Sequence, residues 1–116
     1  GLLVTIASSR LRPSLAGFVD EMELGTYIPY ILSVGDVEHA KPAPDMVLKT
    51  LADNDLRPEE AIVVGDTVFD IRMAHSAGVR AVGVTYGNGQ RADLVAEHAE
   101  YVIDDFGELA GIVLDA

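Results

Sequence analysis

The sequence predicts an α/β protein built on a mainly parallel sheet with flanking helices. Short apolar runs with β-branched members alternate along the chain with segments whose apolar residues repeat at helical spacing. This alternation is typical of βαβ units, in which helical crossovers join parallel strands. Polar residues follow most of the apolar runs, and the ends of parallel strands meet at one edge of a sheet. We therefore expect residues 1–116 to form a single domain with its functional groups at that edge.

The predicted strands are short apolar runs, each followed by polar or glycine-containing residues. They are Leu2–Ala7, Tyr30–Val34, Ala61–Val64, Ala81–Val84 and Tyr101–Ile103. Polar loops are predicted after the second strand, over Gly35–Ala40, and after the fourth strand, over Thr85–Gln90.

The predicted helices occupy the intervals between these strands. Proline suits a helix start and glycine a helix end, and Pro13, Pro44, Gly25 and Gly78 stand at such positions. The helices are expected from Pro13 to Gly25, after Lys41-Pro42-Ala43-Pro44, from the Asp66 region to Gly78, over Ala92–His98 and over Phe106–Leu114.

Composition limits the class of protein. With 116 residues and 49% hydrophobic residues, the chain is long and apolar enough for a globular core. No apolar run is long enough to span a bilayer, and the opening apolar run is too short for a signal peptide. The absence of cysteine excludes disulfides, zinc–thiolate sites and a cysteine nucleophile, and is compatible with a cytoplasmic protein.

The formal net charge of −11 argues against a nucleic-acid partner, because phosphate backbones are bound by basic surfaces. Most of the acidic residues are expected to form a solvated surface. The same charge repels an anionic substrate. A phosphate-handling site in this chain would therefore depend on a metal ion and a well-placed lysine.

The segment Gly65-Asp66-Thr67-Val68-Phe69-Asp70 directly follows a predicted strand. A strand-end carboxylate suits Mg²⁺, which prefers oxygen ligands and keeps room for a substrate phosphate. We expect Asp66 to point at the metal and Asp70 to support it through water or backbone N–H groups. The alternative is that the aspartates cap the helix and interact with its dipole.

Ser8, Ser9 and Lys41 are the candidate phosphate-binding residues at the same edge. The Ser8 hydroxyl and neighbouring N–H groups could bind a phosphate oxygen, or Ser8 could be a helix cap. Lys41, which precedes a proline, could neutralise a phosphoryl group and hold a carboxylate, or be an ordinary solvated lysine.

The remaining polar candidates are expected to be structural. His39, His75 and His98 share no spacing and are assigned to the surface or to helix ends. Asp104-Asp105 is expected to cap the last helix.

Ser8, Lys41-Pro42 and the GDxxxD segment from Gly65 to Asp70 together resemble the haloacid dehalogenase-like hydrolases in order and spacing. The stretch from Gly35 to Pro42 is most similar to the phosphoglycolate phosphatase branch of that family. The resemblance implies Mg²⁺-dependent hydrolysis of a small phosphorylated metabolite through an aspartyl-phosphate. It assigns phosphoryl binding to Ser8, charge stabilisation to Lys41, and the metal to Asp66 and Asp70.

The family's nucleophile motif, DxDGT, is absent from this sequence. In the family that motif lies on the central strand of the sheet, upstream of the strand that ends at the serine, with a cap domain between them. We therefore expect the C-terminal part of a Rossmann-like phosphatase core, with a gap in its sheet and no activity by itself. The missing N-terminal segment or a second chain would complete the sheet.

Two other classes compete with this expectation. The chain could be an inactive module that binds metal, phosphate or another protein through its open sheet. A phosphoacceptor receiver domain has similar length, but in such domains the acidic residues come first and the lysine last, opposite to the order here.

Overall fold

The computed structural model describes residues 3–8, 30–87, 89–105 and 107–115, with side chains to residue 112. The predicted helix from Pro13 to Gly25 lies outside these ranges. The strands are β1 (Thr5–Ala7), β2 (Tyr30–Leu32), β3 (Ile62–Gly65), β4 (Arg80–Val84) and β5 (Tyr101–Ile103). The helices are α1 (Asp45–Asp53), α2 (Val68–Ser76), α3 (Arg91–Ala96) and α4 (Glu108–Asp115), with 3₁₀ turns at Val34–Asp36 and Pro58–Glu60.

Several element boundaries differ from the prediction by a few residues. The second predicted strand stops at Leu32, and Val34 begins a 3₁₀ turn instead. The start of helix α1 at Asp45, directly after Pro44, is as predicted, because prolines lack an N–H group and favour extended backbone in the residue before them. Gly78 adopts a left-handed φ of 76° one residue beyond α2, after the cap residue Ala77, which confirms the predicted helix end.

The strands form two separate parallel sheets, one of β1 and β2 and one in the order β3-β4-β5. In the larger sheet Val63 pairs with Ala81 and Gly65 with Gly83. The parallel α/β architecture is thus as predicted, and among the described strands β3 lies at the edge of its sheet. Its apolar sequence is only partly covered, and Val64 is 39% exposed.

Two apolar clusters lie on opposite faces of the larger sheet, as the alternation of strand side chains requires. Ala81 belongs to the main cluster, whereas its neighbour Val82 belongs to a smaller cluster with Leu109 and Ile112 of α4. Helix α1 contacts both β1 and α2 and so links the two sheets. The main cluster contains Leu32, Met46, Val47, Leu51, Ile71, Met73, Ala74, Ala77, Val79, Ala81 and Leu94. Within the described ranges no helix has the length and apolar character needed to cross a membrane.

Arg72 and Glu97 form an exposed ion pair between α2 and the end of α3. Arg72 Nη2 lies 2.6 Å from Glu97 Oε1, and the two side chains are 48% and 26% exposed. Because solvent screens such pairs, we expect Arg72→Ala to change the free energy of unfolding only slightly. A double-mutant cycle with Glu97→Ala in urea measures the coupling, and a coupling clearly above the error of the measurement would contradict this assignment.

Candidate functional site

The site begins where β3 ends at Gly65. Asp66 and Thr67 connect this strand to α2, and the Asp70 side chain folds back from the first turn of the helix towards Gly65. A Cβ atom on Gly65 would lie 2.6 Å from Asp70 Cγ and 2.7 Å from Asp70 Oδ2. The turn therefore requires glycine at this position so that the Asp70 carboxylate can lie against the strand end.

One oxygen of Asp70 is committed to the turn itself. Asp70 Oδ2 accepts hydrogen bonds from the Asp66 N–H at 3.2 Å, the Thr67 N–H at 3.2 Å and the Thr67 hydroxyl at 3.1 Å. Thr67 is the N-cap residue of α2 and forms a capping box with Asp70. Asp70 therefore caps the helix and shapes the backbone that carries Asp66.

The other oxygen of Asp70 contacts Lys41, which comes from the loop before α1. Lys41 Nζ lies 2.6 Å from Asp70 Oδ1, and the side chains are only 18% and 9% exposed. Burial opposes ionisation of Asp70, but the hydrogen bond and charge of Lys41 and the hydrogen bonds from Thr67 outweigh it. The pKa of Asp70 therefore lies below its usual value, and its side chain is a carboxylate at neutral pH.

Ser8 directly follows β1, a strand of the smaller sheet. Its N–H donates a hydrogen bond to the Leu32 carbonyl at 3.0 Å, which places its backbone at the carboxyl end of that strand pair. Ser9 lies outside the described residues. The structure thus brings Lys41, Asp70 and the Asp66 backbone together and puts Ser8 at the corresponding strand end of the smaller sheet.

The oxygen chemistry at the end of β3 suits Mg²⁺, which binds one or two carboxylates together with waters and phosphate oxygens. In the described part of the chain no three histidine or acidic residues form a metal-binding group. Because the Asp70 oxygens already accept hydrogen bonds from the turn and from Lys41, Asp66 is the better candidate for direct ligation.

The histidines behave as the sequence predicts. His39 contacts Asp45 at 3.0 Å and His75 contacts Glu100 at 2.8 Å, both as exposed pairs. The residue at 98 has a left-handed φ of 64° just beyond α3. No histidine is therefore assigned to the site.

Asp104 was expected to cap the last helix, and this expectation is wrong for its side chain. Asp105 Oδ1 accepts the Gly107 N–H at 2.9 Å near the start of α4, whereas Asp104 Oδ1 accepts hydrogen bonds from Thr85 and Arg91. The two residues have separate roles because Asp104 directly follows β5 and faces the loop after β4. Adjacent identical residues offered no sequence signal for this difference.

The chain contains the D-x-D triplet Asp53-Asn54-Asp55, but this triplet is not followed by Gly-Thr. It lies at the end of α1, and the Asp53 carboxylate accepts the Tyr30 hydroxyl and pairs with Lys49. These contacts are structural, and the triplet does not follow a strand as a nucleophile motif would.

Comparison with known proteins identifies the family. A model of the sequences of the haloacid dehalogenase-like hydrolase family matches residues 1–84. That range includes β3, Lys41 and the whole Gly65–Asp70 segment. The chain therefore belongs to the haloacid dehalogenase-like hydrolase family, as its motifs predict.

Curated relatives carry phosphatase names. The chain is 31% identical over 113 residues to the protein named Pyrophosphatase PpaX from Bacillus mycoides (strain KBAB4), covering 97% of this chain and 53% of the relative. It is 31% identical over 111 residues to “Probable phosphatase IndB” from Dickeya dadantii (strain 3937), covering 96% and 48%. The chain thus spans about half the length of the curated relatives it matches.

Solved structures show the same fold. A predicted phosphoglycolate phosphatase from Haemophilus somnus 129pt superposes with a TM-score of 0.90 at 23% identity, over 97% of this chain and 50% of that chain. A haloacid dehalogenase-like hydrolase from Bacteroides fragilis gives a TM-score of 0.88 at 28% identity, over 94% and 52%. The parallel sheets and flanking helices are therefore those of the family's phosphatases.

Proposed function

We propose that this chain forms part of the core of a Mg²⁺-dependent phosphatase that hydrolyses a small phosphomonoester. The observation that carries the proposal is the Lys41–Asp70 ion pair, 2.6 Å apart and mostly buried, beside the strand-end Asp66. The Lys41 ammonium, which reaches the end of β3 through Asp70, is a local cation in a protein of net charge −11, although Asp70 offsets part of its charge. The family membership supports the same reaction class.

Each residue has a distinct role in this proposal. Lys41, oriented by Asp70, stabilises negative charge on the phosphoryl group. The Ser8 hydroxyl, with the adjoining Ser9, binds a phosphoryl oxygen. Asp66 holds Mg²⁺, and Asp70 acts on the site through its hydrogen bonds to Lys41 and to the Asp66 and Thr67 N–H groups. When bound, Mg²⁺ would neutralise phosphoryl charge and fix the position of the substrate oxygen.

The nucleophile is proposed to lie outside residues 1–116, on a strand that carries the DxDGT motif. The edge position of β3, the 39% exposure of Val64 and the separation of the two sheets support an additional strand between β3 and β1. An edge strand with unpaired backbone groups readily accepts another strand. The attacking aspartate would then stand at the same sheet edge as Asp66 and form the aspartyl-phosphate.

A second candidate is a module that binds metal, phosphate or a protein without catalysis. The open edge of β3 favours it, because strand addition from another chain could use the same backbone groups. In that case the site would bind phosphate and Mg²⁺ but release no inorganic phosphate from any ester.

Phosphate release by the full-length gene product separates these candidates. We expect turnover of small esters such as 2-phosphoglycolate, loss of turnover in EDTA and its recovery with Mg²⁺, whereas residues 1–116 alone should be inactive. Pyrophosphate belongs in the substrate panel because relatives carry the name pyrophosphatase. Asp66-dependent turnover by residues 1–116 alone would refute an external nucleophile. Binding of phosphate without turnover by the full-length product would favour the second candidate.

A further inference from the structure

The loop between β4 and α3 lies against Asp66 more closely than any side chain would permit. A Cβ atom on Gly87 would lie 2.5 Å from Asp66 Oδ2 and 2.8 Å from Asp66 Cγ. A Cβ atom on Gly89 would overlap the Asp66 carbonyl oxygen and lie 3.2 Å from its carbonyl carbon. The backbone at Gly87 and at Gly89 therefore bounds the carboxylate and the main chain of Asp66, and a larger residue at either position must displace one of them.

The loop is anchored at both ends by one carboxylate oxygen. Asp104 Oδ1 accepts the Thr85 hydroxyl at 2.6 Å and Arg91 Nη1 at 3.0 Å. Asp104 is itself held, because its N–H donates to Glu108 Oε2 at 3.0 Å. Thr85 begins the loop and Arg91 begins α3, so the two hydrogen bonds fix the loop's entry and exit relative to β5.

We propose that this loop is a positioning element for the Asp66 carboxylate, with Asp104 as its anchor and Gly87 and Gly89 as its contact points. The inference rests on the proposed function only in taking Asp66 as the metal ligand. Asp66 would then be held from two sides. Its N–H donates to Asp70, and the loop lies against its carboxylate. Groups that orient a metal ligand affect metal affinity without touching the metal.

Metal binding by the full-length gene product tests the anchor. We expect Asp104→Ala to raise the Mg²⁺ Kd about tenfold while the KM of the ester at saturating Mg²⁺ stays within about twofold. Asp104→Asn retains an acceptor oxygen and should recover most of the affinity. The matched control is the adjacent Asp105→Ala, which removes a contact to the Gly107 N–H and should change neither constant.

A second measurement needs neither metal nor activity. In the metal-free protein, Gly87→Ala and Asp104→Ala should shift the ¹⁵N–¹H signals of Asp66 and Thr67. Gly35→Ala should leave them in place, because among the described residues a Cβ there would meet only Ser33 Oγ, at 4.0 Å. If Gly87→Ala fails to fold, Asp104→Ala still tests the loop.

The inference is overturned if Asp104→Ala leaves the Asp66 and Thr67 signals and the Mg²⁺ Kd unchanged, or if Asp105→Ala has the same effects. If the variants shift these signals but the wild-type protein shows no Mg²⁺-dependent turnover, the positioning role is supported and the proposed function is refuted. The failure of one proposal is therefore distinguishable from the failure of the other.

Discussion

Asp66→Asn in the full-length gene product is expected to lower kcat for phosphomonoester hydrolysis on the order of 10²–10³-fold. The substitution keeps the shape of the side chain but removes the negative charge with which Asp66 would hold Mg²⁺. The Asp66 N–H, which donates to Asp70 Oδ2, is unchanged, so the turn and the helix cap should persist. Steady-state kinetics over a range of Mg²⁺ concentrations, with circular dichroism to verify folding, measures the effect.

The matched control is Asp93→Asn, because Asp93 is an exposed aspartate in the first turn of α3. It changes the net charge of the protein by the same amount and should leave kcat within about twofold, as expected for a surface substitution. If the kcat of Asp66→Asn stayed within about tenfold of the wild-type value, little transition-state stabilisation would have been lost. Asp66 would then not be the metal ligand.

Lys41→Met is expected to lower the free energy of unfolding by about 3 kcal/mol at neutral pH, because it leaves a buried carboxylate without its partner. Asp70 is 9% exposed in the pair and Lys41 is 18% exposed, so water cannot replace the lost ammonium easily. Urea unfolding of the full-length gene product measures the loss, and Asp70→Asn with the double variant gives the coupling between the two residues.

The effect should depend on pH in a defined direction. The folded-state pKa of Asp70 lies below its unfolded value, so the stabilisation is complete above an unfolded pKa of about 3.9. It is lost as the pH falls through the lower folded-state value, because the folded protein must then take up the proton. The difference between wild type and Lys41→Met should therefore shrink in acid.

Lys49→Met is the control for this prediction. Lys49 Nζ lies 3.1 Å from Asp53 Oδ2, but the two side chains are 43% and 39% exposed. Lys49→Met should lower the free energy of unfolding much less than Lys41→Met does, as for other exposed pairs four residues apart on a helix. Equal losses for the two lysine variants, or a Lys41→Met effect that does not change with pH, would contradict the assignment of a buried pair.

Local sequence signals predicted the described elements well but not their ends. The apolar run before Gly65 and the glycine at 78 defined β3 and the end of α2, because strand burial and left-handed backbone leave direct marks on residue choice. The second strand was predicted too long. Val34 is as apolar as the strand residues, and only the turn that closes at Asp36 removes it from the sheet.

The sequence could name the residues of the candidate site, but it could not give most of the contacts between them. The GDxxxD pattern marked Asp66 and Asp70, and its first-turn position already allowed Asp70 to cap the helix. The sequence could not show that the second carboxylate oxygen of Asp70 contacts Lys41. Lys41 is distant along the chain and meets Asp70 only when α1 and α2 pack together. For the same reason the sequence did not reveal the contacts of Asp104. Its partners Thr85 and Arg91 follow β4, the strand beside β5.

The sequence by itself determined the α/β class, the family, and the residue types that can handle phosphate and Mg²⁺, because these depend on periodicity and on short motifs. Only the tertiary structure decided that Asp70 contacts both Lys41 and the Asp66 turn. It also placed the glycines of a distant loop against Asp66 and left β3 at the edge of a sheet. These features arise from contacts between segments far apart in the chain, for which composition and spacing carry no direct signal.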